Sequence, residues 1–254
     1  MADVQIGRAA DVGTPQGAVM TLIDHLGELR RRIAISVLAL VIGTVVGFVL
    51  SDRLIEILRA PIGNQTLIYL DLGGAFAIRL KLGMMVGVAL AFPIIAWQLW
   101  SFVAPGLTPH ERSIARPWVP LMVGFFVLGV GVAYAILPAA SVFLRSFEIP
   151  GVLESRLTAE GYFGFVSTLF LAFGAVMQFP IVVVVLNRIG ILPLARLRAS
   201  RRYVLLGIVI FAVVVTPGGD PVSPSVMTAV MYALYELTVV LIGRSTRRAA
   251  STDA

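Results

Sequence analysis

Between Ile33 and Leu50 the chain reads "IAISVLALVIGTVVGFVL", with no ionisable side chain in the stretch. As a helix this run is about 27 Å long, close to the hydrocarbon thickness of a bilayer. A helix on the surface of a soluble domain keeps a polar face, and this one has none, so its expected solvent is lipid. Similar windows recur at Leu82–Ala104, Pro117–Leu137 and Tyr162–Leu186. The bulk composition agrees: 58% of residues are hydrophobic, 13% are charged, and mean hydropathy is +0.94. That is about half the charge of an ordinary globular domain.

Two further windows are different. Tyr203–Val215 is only 13 residues, roughly 20 Å as a helix, and is followed at once by "TPGGDPV". Ser223–Ile242 comes next, with Ser223 placed as an N-cap and Pro224 at the first helical position. So short a connection predicts a tight hairpin that thins the membrane or stops short of crossing it. The expectation is an all-α protein of six transmembrane helices, the fifth and sixth of them short. Residues 1–20 read as a disordered tail without the apolar core of a cleaved leader, 21–243 as the membrane domain, and 244–254 as a second tail.

Fourteen of the twenty Lys and Arg residues fall on one side of this alternating topology, in the N-terminal region, the second and fourth connections and the C-terminal tail. The positive-inside rule then puts both termini in the cytoplasm. The arginines of "RIGILPLARLRASRRY" are accounted for by orientation and by attraction to anionic lipid, not by nucleic acid. The outer connections, 51–81 and 138–161, read as small ordered caps. With no cysteine and two histidines, neither disulfide, thiol nor metal chemistry is expected, and no nucleophile motif suggests an enzyme.

Few polar residues are left to carry function. In "TLIDHLGELRRR" the apolar residues recur at helical spacing, which predicts an interfacial helix running into the first span. Its Glu28 lies three and four residues before Arg31 and Arg32 and can pair with either. Glu111 in "APGLTPHERS" fits a capping box with Thr108 and Pro109, yet also stands on the same rim as Glu28. Gln178 and Glu236 are the polar residues deepest in the spans, where polar groups are costly enough to suggest function. Gln178 either satisfies a carbonyl freed by Pro180 or contacts a partner helix, Glu236 either has such an intramembrane role or bonds within the hairpin, and Asp220 reads as a turn residue. A permease with Gln178 and Glu236 at a midplane site is the competing class, weakened by the lack of internal repeats.

The ordered segments "HLGELRRR", "RAPIG", "FPIIAWQLWSFVAPGLTPHER", "FGAVMQFP", "RRYV" and "TPGGDPVS" together resemble the TatC family, the polytopic subunit of the twin-arginine protein translocase. The resemblance runs from about residue 20 to 243 and implies a cupped six-helix protein of the bacterial cytoplasmic membrane. It implies binding of twin-arginine signal peptides on folded cargo, assembly with TatA- and TatB-type single-span subunits, a homo-oligomeric receptor complex, and export driven by protonmotive force without a cofactor. The implied signal-peptide residues are Glu28, Glu111, Arg30, Phe102, Pro105 and Leu107. Pro61 and Asp220 match structural positions on the outer side. Gln178 departs from the family, many of whose members carry glutamate there, which leaves a polar hydrogen-bonding role open and counts against one needing negative charge or proton exchange.

Overall fold

The computed structural model describes residues 22–63, 66–104, 118–149, 157–188, 190–216 and 219–252, with side chains from His25 to Arg244. Helices α1 (Leu22–Val49) and α2 (Ser51–Arg59) come first, followed by a 3₁₀ turn at Ala60–Ile62 and α3 (Gly74–Val103). Then come α4 (Trp118–Arg145), α5 (Ala159–Val176), α6 (Phe179–Arg188), α7 (Leu194–Ala199), α8 (Arg201–Val215) and α9 (Val222–Thr252).

Among the described residues, five helical stretches are long and apolar enough to cross a membrane: His25–Val49, Gly74–Val103, Trp118–Arg145, Ala159–Arg188 and Val222–Arg244. Between the last two of these lies α8, which has 15 residues and reaches about 22 Å, short of the roughly 30 Å of a hydrocarbon core. The short fifth span thus stands as expected, whereas the sixth helix is long. It continues through the anticipated boundary at residue 243 to Thr252, because "GRSTRRAAST" contains no proline to stop it and only Gly243 to weaken it. Helices α3 and α4 also outrun their apolar windows, α4 carrying on through Pro138 to Arg145. Hydropathy marks what lipid covers; the backbone ladder ends only where its hydrogen bonds do. The expected tail at 1–20 lies outside the described residues.

Lipid as solvent inverts the usual burial pattern. Val41, Ile42, Val45, Leu121, Val127, Leu128, Val213 and Val214 are exposed, while the helix seams are lined by small residues. Ideal Cβ atoms at Gly43 and Gly47 of α1 would lie 2.8 and 2.7 Å from the Gly87 and Gly83 carbonyls of α3. Those two helices therefore approach backbone to backbone, as apolar helices do when packing replaces the hydrophobic effect. On the opposite seam, Gly129 of α4 faces the Phe173 carbonyl of α5, and Gly174 faces the Phe126 ring. The stretch formed by α5 and α6 is the hub, 56% of its most apolar window being buried against 11% for α1.

At the end of the bundle opposite the arginine-rich connections, polar side chains satisfy the backbone where helices stop. Tyr162 and Tyr134 donate to the Leu58 and Ile57 carbonyls at 2.6 and 3.3 Å, which closes the C-terminus of α2. Pro61 sits inside the 3₁₀ turn, where its missing N–H costs nothing. A single parallel bridge ties the two outer connections: the Ile68 amide donates to Leu157 and the Ala159 amide donates back to Ile68. Arg79 pairs with Asp52 at 2.7 Å and donates to Ser51.

The hairpin into α9 corrects one expectation. The cap is Asp220, not Ser223: its Oδ1 accepts from the Ser223 amide at 2.7 Å, with Pro221 immediately before the first helical residue, Val222. Both "DPVS" and "SPSV" present a cap residue before proline. Asp220 is the one whose side chain meets a free amide, whereas Ser223 Oγ has no hydrogen-bond partner among the described residues.

Candidate functional site

The first turns of α1 carry the carboxylate that the sequence singled out. Glu28 and Arg32 are one helical turn apart and share a face, and Arg32 donates through Nε (3.1 Å) and Nη2 to a single oxygen, Oε1. Of the two arginines the sequence offers, only Arg32 takes this place; Arg31 is exposed. The choice is made by α3, whose Gln98 accepts from Arg32 Nη1 at 3.4 Å. With its head held at both ends, Arg32 is only 19% exposed and Glu28 21%.

The other carboxylate oxygen is the notable one. Glu28 Oε2 is buried and has no hydrogen-bond partner among the described residues. A buried anionic acceptor left without a donor costs more than an ordinary missing hydrogen bond, so this atom is poised to take one. Three residues earlier, His25 stacks on Phe102 of α3, ring centroids 4.5 Å apart and planes 17° apart. Phe102 therefore pins the start of α1 to the end of α3, next to the point where the chain enters 105–117. Trp100 and Trp118 lie 6.1 Å apart on either side of that connection. Arg30 is exposed on the same turn of α1 as Glu28. Glu111, Pro105 and Leu107 fall outside the described residues.

Gln98 and His25 were missed by sequence reasoning, as was the selection of Arg32 over Arg31. Gln98 had a readable signal, being the single polar side chain in "FPIIAWQLW", where an amide needs a reason to be. His25 had none beyond its spacing from Glu28.

Gln178 closes the break between α5 and α6. Its own amide donates to Ala175 at 3.0 Å, which leaves the Gly174 carbonyl short of the α-helical donor it would otherwise have. The side-chain Nε2 supplies that bond at 3.3 Å and a second to Met122 of α4 at 3.1 Å. A carbonyl freed at a proline break is thus satisfied locally, one of the two roles open in the sequence. An ionised carboxylate here has no N–H to give and faces two carbonyls. Gln178→Glu is therefore expected to lower stability by about 1–3 kcal/mol, read as a drop in the unfolding midpoint in detergent at neutral pH; an unchanged midpoint would show that the two amide bonds contribute nothing.

Glu236 is bonded within the hairpin. Its Oε2 accepts from Arg201 at 2.9 Å and its Oε1 from the Tyr232 hydroxyl at 3.1 Å. Arg201 opens α8 at the arginine-rich end, so Glu236 belongs to that end of α9. Gln178 and Glu236 share no hydrogen-bond partner among the described residues, and no common midplane site joins them.

The comparisons with known proteins bear on the whole arrangement. The family model described as Sec-independent protein translocase protein (TatC) matches residues 24–229. The chain is similar to the Sec-independent protein translocase protein TatC of Deinococcus radiodurans, 38% identical over 237 residues that cover 89% of this chain and 87% of that protein. It is likewise similar to the TatC of Carboxydothermus hydrogenoformans, 36% identical over 225 residues, covering 87% of this chain and 92% of that one. A crystal structure of the twin-arginine translocase receptor TatC superposes with a TM-score of 0.75 at 31% identity, covering 85% of this chain and 98% of that chain. The apolar spans, the short α8 and the polar cluster at one rim accordingly belong to a multi-pass membrane component of protein transport and not to an enzyme. With the matched model covering most of its length, the chain belongs to the TatC family.

Proposed function

We propose that this protein is the receptor subunit of a twin-arginine translocase, binding the paired arginines of signal peptides on folded cargo at its arginine-rich rim. The observation that carries the reading is the half-used Glu28 carboxylate: Arg32 engages one oxygen, and the other is buried with no donor among the described residues. An incoming guanidinium supplies planar, permanently charged N–H donors suited to that oxygen. Glu111, in the connection that leaves α3 just beyond Phe102, is the second acid of the reading, so a pair of arginines meets a pair of carboxylates. Arg30, Pro105 and Leu107 complete the proposed surface, with Arg30 kept exposed beside Glu28.

The rim faces the cytoplasm of a bacterial cell on this reading, since fourteen of twenty basic residues gather there. The bound subunit then assembles with TatA- and TatB-type single-span partners and with further copies of itself for export driven by protonmotive force. The test is photocrosslinking from residue 111 to signal peptides carrying Arg-Arg or Lys-Lys. Strong labelling by the arginine pair and several-fold weaker labelling by the lysine pair is the expected result. Equal labelling by both removes the basis for the reading, because lysine offers a compact charge without the planar fork.

A further inference from the structure

Between α6 and α8, closed at the back by Met231 and Tyr235 of α9, runs an apolar cleft of about 660 Å³. It extends from Ser200, which caps α8, along that helix to Val215, roughly 22 Å, which exceeds the thickness of a single leaflet's hydrocarbon. Its walls are almost wholly hydrocarbon. The polar groups lie at particular places: Arg196 of α7 and Ser200 stand at the arginine-rich end, and Gln178 lies partway along. Arg196 donates one N–H to the Ile191 carbonyl at 3.4 Å and is otherwise exposed at the mouth. Arg188, Arg198 and Arg202 are exposed on the segments around it.

We infer that this cleft is a binding site for one anionic phospholipid, its acyl chain lying between α6 and α8 and its phosphate held by Arg196. Three features point to this occupant. The lining matches an acyl chain, since it offers no row of hydrogen-bonding groups to a polar ligand. The mouth is basic and sits at a helix end, the arrangement by which pockets between membrane helices hold anionic headgroups. The helix forming one wall, α8, is shorter than the bilayer is thick, so a lipid beside it has to sit with its headgroup drawn toward the protein. Gly207 also lines the cleft, and a Cβ placed there meets nothing within 4 Å, so the groove stays open where a side chain would otherwise close it.

The experiment uses the full chain purified in mild detergent and relipidated with phosphatidylglycerol or phosphatidylcholine, with retained lipid counted by native mass spectrometry. The wild type is expected to keep one phosphatidylglycerol in preference to phosphatidylcholine. Arg196→Gln should reduce that preference about five-fold while the acyl site remains. Gly207→Trp starts from a Cβ that meets nothing within 4 Å, projects a ring into the cleft and should abolish retention of both lipids, with the unfolding midpoint checked to confirm that the variant is folded. Retention that is equal for the two lipids in the wild type, or unchanged in folded Gly207→Trp, overturns the assignment. So does a cleft that excludes lipid and is photolabelled only by a single-span partner helix. None of these readouts uses a signal peptide, so the outcome is independent of the receptor role.

Discussion

Glu28→Ala is expected to weaken capture of a twin-arginine signal peptide by about ten-fold or more. A hydrogen bond to a charged group is worth about 1.5–3 kcal/mol, and each 1.4 kcal/mol is a factor of ten. The alanine removes both the carboxylate that the guest arginine would meet and the partner of Arg32. Glu28→Gln separates these effects: it keeps the shape and an acceptor but loses the charge, so binding should fall while the contact of Arg32 with Gln98 persists. Because Glu28 and Glu111 are assigned to one arginine pair, the double variant should lose less than the sum of the two single losses. Titration of a fluorescent signal peptide into detergent-solubilised protein measures all three. Undiminished affinity in Glu28→Ala would leave the free oxygen without a role and the receptor reading without its main support.

Gly87→Val should be the most destabilising single change in the seam that holds the site. A Cβ at this position would lie 2.5 Å from the Thr44 hydroxyl and 2.7 Å from the Thr44 amide, and the latter is backbone that cannot rotate away. Overpacking of this kind costs about 3 kcal/mol, since α1 has to move off α3 along several turns. The consequence reaches the rim. Gln98 and Phe102 ride on α3, so a displaced α1 loses both the 3.4 Å bond from Arg32 and the stack on His25. A large fall in the unfolding midpoint should therefore come with weaker peptide binding. Gly124→Ala is the matched control: its Cβ meets nothing within 4 Å, and replacing glycine inside a helix should leave stability unchanged or raise it by about 0.5–1 kcal/mol. Similar midpoints for the two variants would show that the α1–α3 seam is not closely packed.

The hydrophobic windows located most of the helices but not their ends. Pro138 reads in sequence as the end of a span, yet α4 continues through it to Arg145, because one missing N–H does not outweigh the rest of the ladder. Ser223 read as the cap and Asp220 as a turn residue, and only the geometry of the hairpin gave the capping bond to Asp220. Glu236 looked deep because its neighbours are apolar; the Arg201 guanidinium that meets it lies 35 residues away in the chain. Gln178 was legible as a polar residue at a break, but its second acceptor, Met122, is on another helix.

Membrane insertion is a sum over each segment's own side chains, because a helix in lipid satisfies its backbone by itself. That is why apolar runs and the placement of arginines were enough to establish an all-α membrane protein, a short α8 and the polar rim. Which arginine meets Glu28 depends on how α1 is rotated against α3. That rotation comes from Gly43 and Gly47 seating on Gly87 and Gly83, a contact between distant parts of the chain. The buried oxygen of Glu28, without a donor among the described residues, follows from that packing, so only the assembled helices could reveal it.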